Sequence, residues 1–462
     1  MSFPKYPTYK NSGVVWLGDV PEHWVSAKFA RVILAIKDGT HGTFERLGDG
    51  EPLLSAKNVA NGFLDIADNE SLISQADHDS IVSNGFPSRG DLLLTIVGTI
   101  GRACVYNLDK PMAFQRSVCF LRFTDRNSSR YFYYFSQSKF FQEQLVGRSK
   151  SSAQAGVYMG DVAATSVVFP SDLEEQIQIA RFLDHETAKI DALIEEQERL
   201  IELLKEKRQA VISHAVTKGL DPSVPMKDSG VEWLGEVPAH WALAPLKYLA
   251  VLNPRKSGFS GDAGLLCSFV PMEKLKTGAL LLDEDRPTEE VFGGYTYFEN
   301  GDILQAKVTP CFENKNIALA KGLTNGVGFG SSEINVIRPG QDLDAQYLFY
   351  RMQEDAYMSI CASSMIGAGG LKRVPTDVIN NFVVAIPAVA EQLTIASYID
   401  SCLADLDVLA ATALETVRLL QERRSALISA AVTGKIDVRD WHPPKLLSHE
   451  PLPEDKSCLE SI

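Results

Sequence analysis

Two stretches of the chain keep a helical rhythm far longer than anything else in it. From Gln176 to Val216 there is no Pro or Gly, and strong helix formers dominate. Apolar residues recur at Leu183, Ile190, Leu193, Leu200, Leu204 and Val211, with Gln197 as a polar member of the same row. This spacing fits the a and d places of a heptad and predicts a helix of about 40 residues, roughly 60 Å long. A second stretch repeats the register at Ile399, Leu406, Leu409, Leu420 and Leu427. Seams of this kind bury against each other or against another subunit; the plainer alternative is a packed helix pair inside a globular core. The residues expected to form these packing and partner faces are Leu183, Ile190, Leu193, Leu204, Ile399, Leu406, Leu409 and Leu420.

Between the long stretches the period shortens. "DLLLTIVGTIG", "SVCFLRF", "TSVVFP", "GDILQAKV", "EINVIRP" and "NFVVAIP" are apolar or alternating runs bounded by Gly, Pro, Asp and Asn, which predicts strands. "RYFYYFSQSKFFQEQL" and "AQYLFYRMQEDAYMSI" have helical spacing. The expected class is α+β: two compact mixed α/β domains together with a two-helix spacer.

The chain repeats itself. "SGVVWLGDVPEHW" (Ser12 to Trp24) returns as "SGVEWLGEVPAHW" (Ser229 to Trp241), 217 positions later. Glu174 to Asp221 matches Ala390 to Asp437 at an offset of 216, so Glu175-Gln176 aligns with Glu391-Gln392. Each long segment follows an apolar-Pro step, at Pro170 and Pro387. The middles between these ends share only sparse marks, such as Gly90-Asp91 against Gly301-Asp302. Near-identical ends around divergent middles point to one scaffold presenting two different surfaces. Trp16, Trp24, Trp233 and Trp241 read as packing anchors, and His23 and His240 as supports of a turn. Pro222 and Pro225 mark a linker between the halves. The tail from 437 to 462 is polar and Pro-rich, which predicts poor order or a docking role.

Composition narrows the class. The chain has 462 residues, 45% hydrophobic and 23% charged, ordinary for a soluble globular protein of two or three domains. No run approaches a membrane span, and the start lacks the pattern of a signal peptide, so a cytoplasmic protein is expected. The seven Cys form no C-x-x-C pair, which argues against structural zinc or a disulfide framework. The net charge of −14 argues against a simple basic nucleic-acid binder. The charge is uneven, however: residues 1–170 hold 17 Lys and Arg against 16 Asp and Glu. Catalytic signatures are missing. There is no G-x-x-x-x-G-K-[ST], G-x-S-x-G or H-E-x-x-H, and no Asn/Asp-Pro-Pro-aromatic loop of an amino-methyltransferase. The chain reads as a binder.

At this point the motifs converge on a known family. The repeated opening phrases, the Pro-to-Glu-Gln steps, the "AVISHAVT" and "ALISAAVT" ends and the "GDIL…TPCFENKNIALAKGL…GFGSSEINVIRP" block resemble the DNA specificity subunit of type I restriction–modification enzymes, over nearly the full length. "DGTHGTF" and "GDLLLTIVGTIGRACVY" resemble its first target-recognition domain. The resemblance implies two target-recognition domains, at 1–170 and 221–387. It implies that spacer and docking helices at 171–220 and 388–436 pair as a long antiparallel two-helix coiled coil separating the domains in a pseudo-twofold tandem repeat, with a tail at 437–462. Each domain would bind one half of a split DNA site. The helices would dock two methyltransferase subunits, and restriction (motor-nuclease) subunits would join. The chain itself would carry no cofactor; S-adenosylmethionine would sit on the methyltransferase, and ATP and Mg on the motor-nuclease. Two readings compete with this one: a bridging scaffold with two interaction domains that never touches DNA, which the acidic charge favours, and a methyltransferase with degenerate motifs.

A DNA reader needs cations for phosphates and amide or guanidinium groups for base edges. Gly-bounded loops of the first domain supply Lys37 and His41, Lys57 and Asn58, Arg102, and Gln115 with Arg116. The second supplies Arg255 and Lys256, then Lys307, Thr309, Asn314 and Lys315, then Ser331 and Ser332. As single residues these fit any solvated surface; the clustering on loops is what marks them.

Overall fold

The computed structural model describes residues 3–150, 155–259, 261–262, 264–368 and 370–444. The chain is mixed α/β and forms two compact units. One comprises residues 1–197 and 415–462, the other 198–414, so each gathers a repeat middle and parts of both long helices.

The first unit is built on a four-stranded antiparallel sheet in the order Ile33–Asp38, Val118–Phe123, Leu92–Thr95, Ala103–Val105. Leu92 to Thr95 are all buried, which explains why that strand reads as a continuous apolar run instead of an alternating one. A mixed three-stranded sheet joins it, with Glu51–Leu54 parallel to Ala113–Phe114 and antiparallel to Leu72–Ile73. The second unit repeats the first sheet as Ala250–Leu252, Ile334–Pro339, Ile303–Ala306 and Ile317–Leu319. Its second sheet is larger, Asp285–Pro287, Leu266–Val270, Val327–Gly330 and Thr296–Glu299. All six runs read as strands from the sequence are strands here. The two aromatic runs each form two helices instead of one: Ser129–Gln137 then Lys139–Arg148, and Ala345–Arg351 then Asp355–Ser363. The breaks fall at Ser138 and Glu354, both in extended backbone, and the Ser138 hydroxyl accepts from Phe141 N.

One carboxylate per unit explains the doubled phrases. Glu175 accepts from Trp24 Nε1 at 2.9 Å and Tyr6 Oη at 2.9 Å, and pairs with His23 Nε2 at 2.8 Å. Glu391 accepts from Trp241 Nε1 at 3.0 Å and pairs with His240 Nε2 at 2.9 Å. The next residue works the same way in each copy. The Gln176 amide donates to Pro170 O and accepts from Ser128 N, and the Gln392 amide donates to Pro387 O and accepts from Asp344 N. The "HW" and "EQ" motifs are thus two halves of one clamp that fastens the sheet-bearing domain to the start of its long helix. Trp24 and Trp241 are buried anchors, while Trp233 stacks on Phe382 at 4.5 Å and Trp16 is exposed.

The long helices run Leu173–Lys218 and Val389–Val432. Within the first unit Arg424 pairs with Asp191 at 2.7 Å; within the second Arg208 pairs with Asp407 at 2.5 Å. The expected seam needs a correction. Residues 183, 190 and 399 are buried, and 204, 406 and 420 half-buried, as the heptad requires. Leu193 and Leu409, however, are 45% and 52% exposed, and Leu200 is exposed too. The second inward row of the first helix is Ile194 and Ile201; in the other helix it is Leu403 and Ala410. A heptad alternates steps of three and four, and a row of leucines on the outer face fits the first step as well as the true seam does. The tail is also partly ordered. Asp437 N donates to Pro4 O, and Trp441 packs edge-on against Phe182 at 5.3 Å. Residues 445–462, the remainder of the expected docking tail, lie outside the described residues.

Candidate nucleic-acid interface

In the first unit three loops meet at one end of the four-stranded sheet. Thr40 bridges Gln115, Arg116 N donates to Thr40 O, and Gln115 N donates to Leu54 O. Gly39 lets these backbones touch: a Cβ there would lie 2.1 Å from Phe114 O. Beside them opens a cleft of about 780 Å³ lined by His41, Arg116, Asp38, Lys150 and Tyr158, among others. Arg116 and Arg102 are exposed, and neither has an ion-pair partner among the described residues. Lys37 lines a smaller neighbouring cleft. His41 is held by Asp38 at 2.8 Å. Pattern reading missed Lys150 and Tyr158, whose ammonium and ring lie 5.0 Å apart. The Val97–Gly156 bridge, with Gly98 N donating to Ala155 O and Val157 N to Ile96 O, brings that segment to the cleft, and no local motif announces such a bridge.

Asn58 turns inward. It is buried, its amide donates to Asp65 O and Glu70, and its oxygen accepts from Ser55 N, so it braces a turn. Lys57 pairs with the same Glu70 at 2.6 Å. Burial pushes the Glu70 carboxyl up, but the bonds from Lys57, Asn58 and Ala67 outweigh it and hold the carboxyl below its ordinary range.

The second unit gathers part of its predicted set. Lys307 N donates to Glu333 O, Val374 N donates to Lys307 O, and Thr309 N donates to Lys372 O. This joins Lys307, Thr309 and the Ser331-Ser332 loop to a short hairpin, Ile366–Ala368 and Leu371–Arg373. Ser332 is exposed, and the Ser331 hydroxyl accepts from Glu333 N. Asn314 is exposed further along the loop that carries Lys307 and Thr309, and Arg255 is exposed on a separate loop. Two cations are spent internally: Lys256 Nζ donates to Phe292 O at 2.6 Å, and Lys315 Nζ ties to Gln209 at 2.6 Å and Asp355 at 3.2 Å. Both fasten their loops to neighbouring elements. Lys315 also has positive φ, a backbone state that suits a tight turn.

The repeat makes the two surfaces comparable. Behind each stands a buried carboxylate with a bidentate arginine, Asp91 with Arg122 and Asp302 with Arg338. In front of it, Gln115-Arg116 precedes the strand Val118–Phe123, and Ser331-Ser332 precedes the equivalent strand Ile334–Pro339. The frame is shared and the displayed side chains differ. Among the described residues no cluster of His, Cys, Asp and Glu is arranged to hold a metal ion, and no helix is long and apolar enough to cross a membrane.

One frame is thus repeated with different side chains displayed on it, and known proteins show what the chain is similar to. Residues 62–203 match the type I restriction modification DNA specificity domain. The chain is 37% identical over 163 residues to the type I restriction enzyme EcoEI specificity subunit of Escherichia coli, covering 35% of this chain and 27% of that relative. It is 20% identical over 458 residues to the EcoKI specificity subunit of Escherichia coli strain K12, covering 94% of both chains. The first two curated relatives are thus matched over about a quarter of their length, 27% in each case. A solved chain described under "complex assembly and conformational transition of the type I R-M system" superposes with a TM-score of 0.66 at 14% identity, over 90% of this chain and 99% of its own; it shares the fold. The homologues of this chain are type I restriction enzyme specificity subunits that carry a DNA specificity domain.

Proposed function

We propose that this chain is the sequence-specificity subunit of a cytoplasmic type I restriction–modification assembly. Each repeat middle binds one half of a split duplex site. The long helices, continuous through both compact units, fix the interval between the halves and dock two methyltransferase subunits through outward leucines such as Leu193 and Leu409. Restriction (motor-nuclease) subunits join the assembly. The chain is non-catalytic; S-adenosylmethionine belongs to the methyltransferase, and ATP and Mg to the motor-nuclease. Of the proposed contacts, Lys37, His41, Arg102, Gln115 and Arg116 serve the first half-site. Arg255, Lys307, Asn314, Ser331 and Ser332 serve the second.

The observation that carries this reading is the pairing of one frame with two displays: the same sheet and the same Asp–Arg brace, behind Gln115-Arg116 in one copy and Ser331-Ser332 in the other. A scaffold bridging two copies of one partner would have no use for two different displays on a common frame. The test is a swap. Replacing residues 242–385 by the corresponding segment of a related chain, in a host that also makes the partner subunits, should change one half of the methylated sequence and leave the other. A change in both halves, or in neither, refutes the assignment.

A further inference from the structure

The hairpin Ile366–Ala368 and Leu371–Arg373 in the second unit is an unusual object. Its register pairs Ile366 with Arg373 and Ala368 with Leu371, so Ile366, Ala368 and Leu371 share one face. Ile366 is 71% exposed and Leu371 57%. Covering such side chains is favourable, and the fold leaves most of that gain uncollected here. Two-stranded ribbons are marginal by themselves, yet this one is rooted firmly. Thr309 Oγ1 donates to Gly370 O at 2.6 Å and accepts from Lys372 N at 3.0 Å. The Arg373 guanidinium grips Glu333 with two bonds, at 2.9 and 2.8 Å. Val308 bridges Arg373 directly. Gly367 allows the strands to close: its φ is +155°, and a Cβ would lie 2.2 Å from Leu371 O.

The surroundings favour a polyanion over an apolar partner. Lys372 projects from the opposite face of the ribbon, exposed, and makes no ion pair among the described residues. Lys307 stands at the root; the nearby carboxylate, Glu333, is already held by Arg373. The first unit has an arm rooted at the equivalent place. There Val97 bridges Gly156, as Val308 bridges Arg373, and the exposed Tyr158 follows with Lys150 beside it. A fixed root carrying different exposed residues in each copy is what two readers of different sequences need.

We propose that the paired strands Ile366–Ala368 and Leu371–Arg373 enter a groove of the duplex as a two-stranded reading finger. Ile366 and Leu371 lie against base edges, where a thymine methyl is the matching apolar group, and Lys372 takes a phosphate. A two-stranded ribbon fits the major groove in width. The proposal rests on the DNA-reading function above and assigns the residues that carry out part of it.

The experiment uses the full chain assembled with its methyltransferase partners and the duplex sequence that the wild-type complex methylates. Ile366→Ser with Leu371→Ser should weaken cognate binding roughly 10- to 100-fold. Binding to random duplex should stay within about twofold, and preference should relax in one half of the methylated sequence only. Lys372→Ala should weaken cognate and random binding alike and lower the salt slope by about one. Leu281→Ser, exposed in the same unit but outside the hairpin, is the control and should change nothing. Leu371→Ala alone replaces the double variant if that one loses its thermal transition. Unchanged cognate affinity and an unchanged methylated sequence overturn the proposal. So does loss of assembly with the methyltransferase at intact DNA preference, which would make the ribbon a protein dock. A wild-type complex that prefers no duplex sequence would instead overturn the function itself, and the two failures are distinct.

Discussion

The two clamps are built from the same motif but differ in burial, and that difference predicts unequal costs for one substitution. The Glu175 side chain is 6% exposed and takes donors from Trp24, Tyr6 and His23. The Glu391 side chain is 33% exposed and has Trp241 and His240 only, since Ser223 stands where the first copy has Tyr6. Glu175→Ala therefore orphans two buried donors, the Trp24 indole and the Tyr6 hydroxyl. At about 1–3 kcal/mol for each, the loss is roughly 2–6 kcal/mol. Glu391→Ala orphans one, for a loss of about 1–3 kcal/mol. In units of this size 1 kcal/mol shifts Tm by about 2–4 °C, so calorimetry should show the first variant melting well below the second. Tyr6 sharpens the test. Tyr6→Phe should destabilise the wild type by about 0.5–1.5 kcal/mol, but in the Glu175→Ala background it removes an orphan and should restore part of the loss. Equal melting of the two alanine variants, or strict additivity of Tyr6→Phe with Glu175→Ala, would refute the clamp as described.

Three further outcomes follow from the geometry. Arg116→Ala should cost the assembled complex about 1–3 kcal/mol of cognate DNA binding if the guanidinium pairs with a guanine; wild-type affinity and methylated sequence would show that it does not read bases. Arg351 is fully buried against Glu354, and burial pulls its guanidinium down to about 10. Arg351→Ala should cost about 3–5 kcal/mol, whereas Arg351→Phe with Glu354→Ser, the pair found at Phe135 and Ser138 of the first copy, should come close to neutral in a denaturation curve. The bonds from Arg373 hold the Glu333 carboxyl below its ordinary range. A depressed carboxylate contributes stability above its unfolded value, about 4.3, and loses it as pH falls through the folded one. Protection factors at Leu371 to Arg373, with the intrinsic pH dependence of exchange divided out, should therefore fall on acidification below about pH 4 in the wild type, and Glu333→Gln should remove that fall.

The sequence by itself determined the duplication, the strands, the two long helices and the absence of catalytic motifs. Each of these is a local or periodic property: a repeated phrase, an apolar run, a stretch without Pro or Gly. It also marked Glu175 and Glu391 as repeated residues, but not as the acceptors for Trp24 and Trp241, which lie about 150 positions away in sequence. Tertiary structure decided which row of each heptad faces inward, because Leu193 and Ile194 satisfy the same composition and only packing separates them. It decided that Asn58, Lys256 and Lys315 spend their polar atoms inside the fold while Arg102 and Arg116 do not. A loop's residue types are visible in the chain; the partners that claim them are not. Lys150, Tyr158 and the ribbon Ile366–Arg373 stayed hidden for the same reason. Their meaning comes from the bridges Val97–Gly156 and Val308–Arg373, and a bridge between distant residues is set by how the sheet folds back on itself, not by any pattern the segment carries alone.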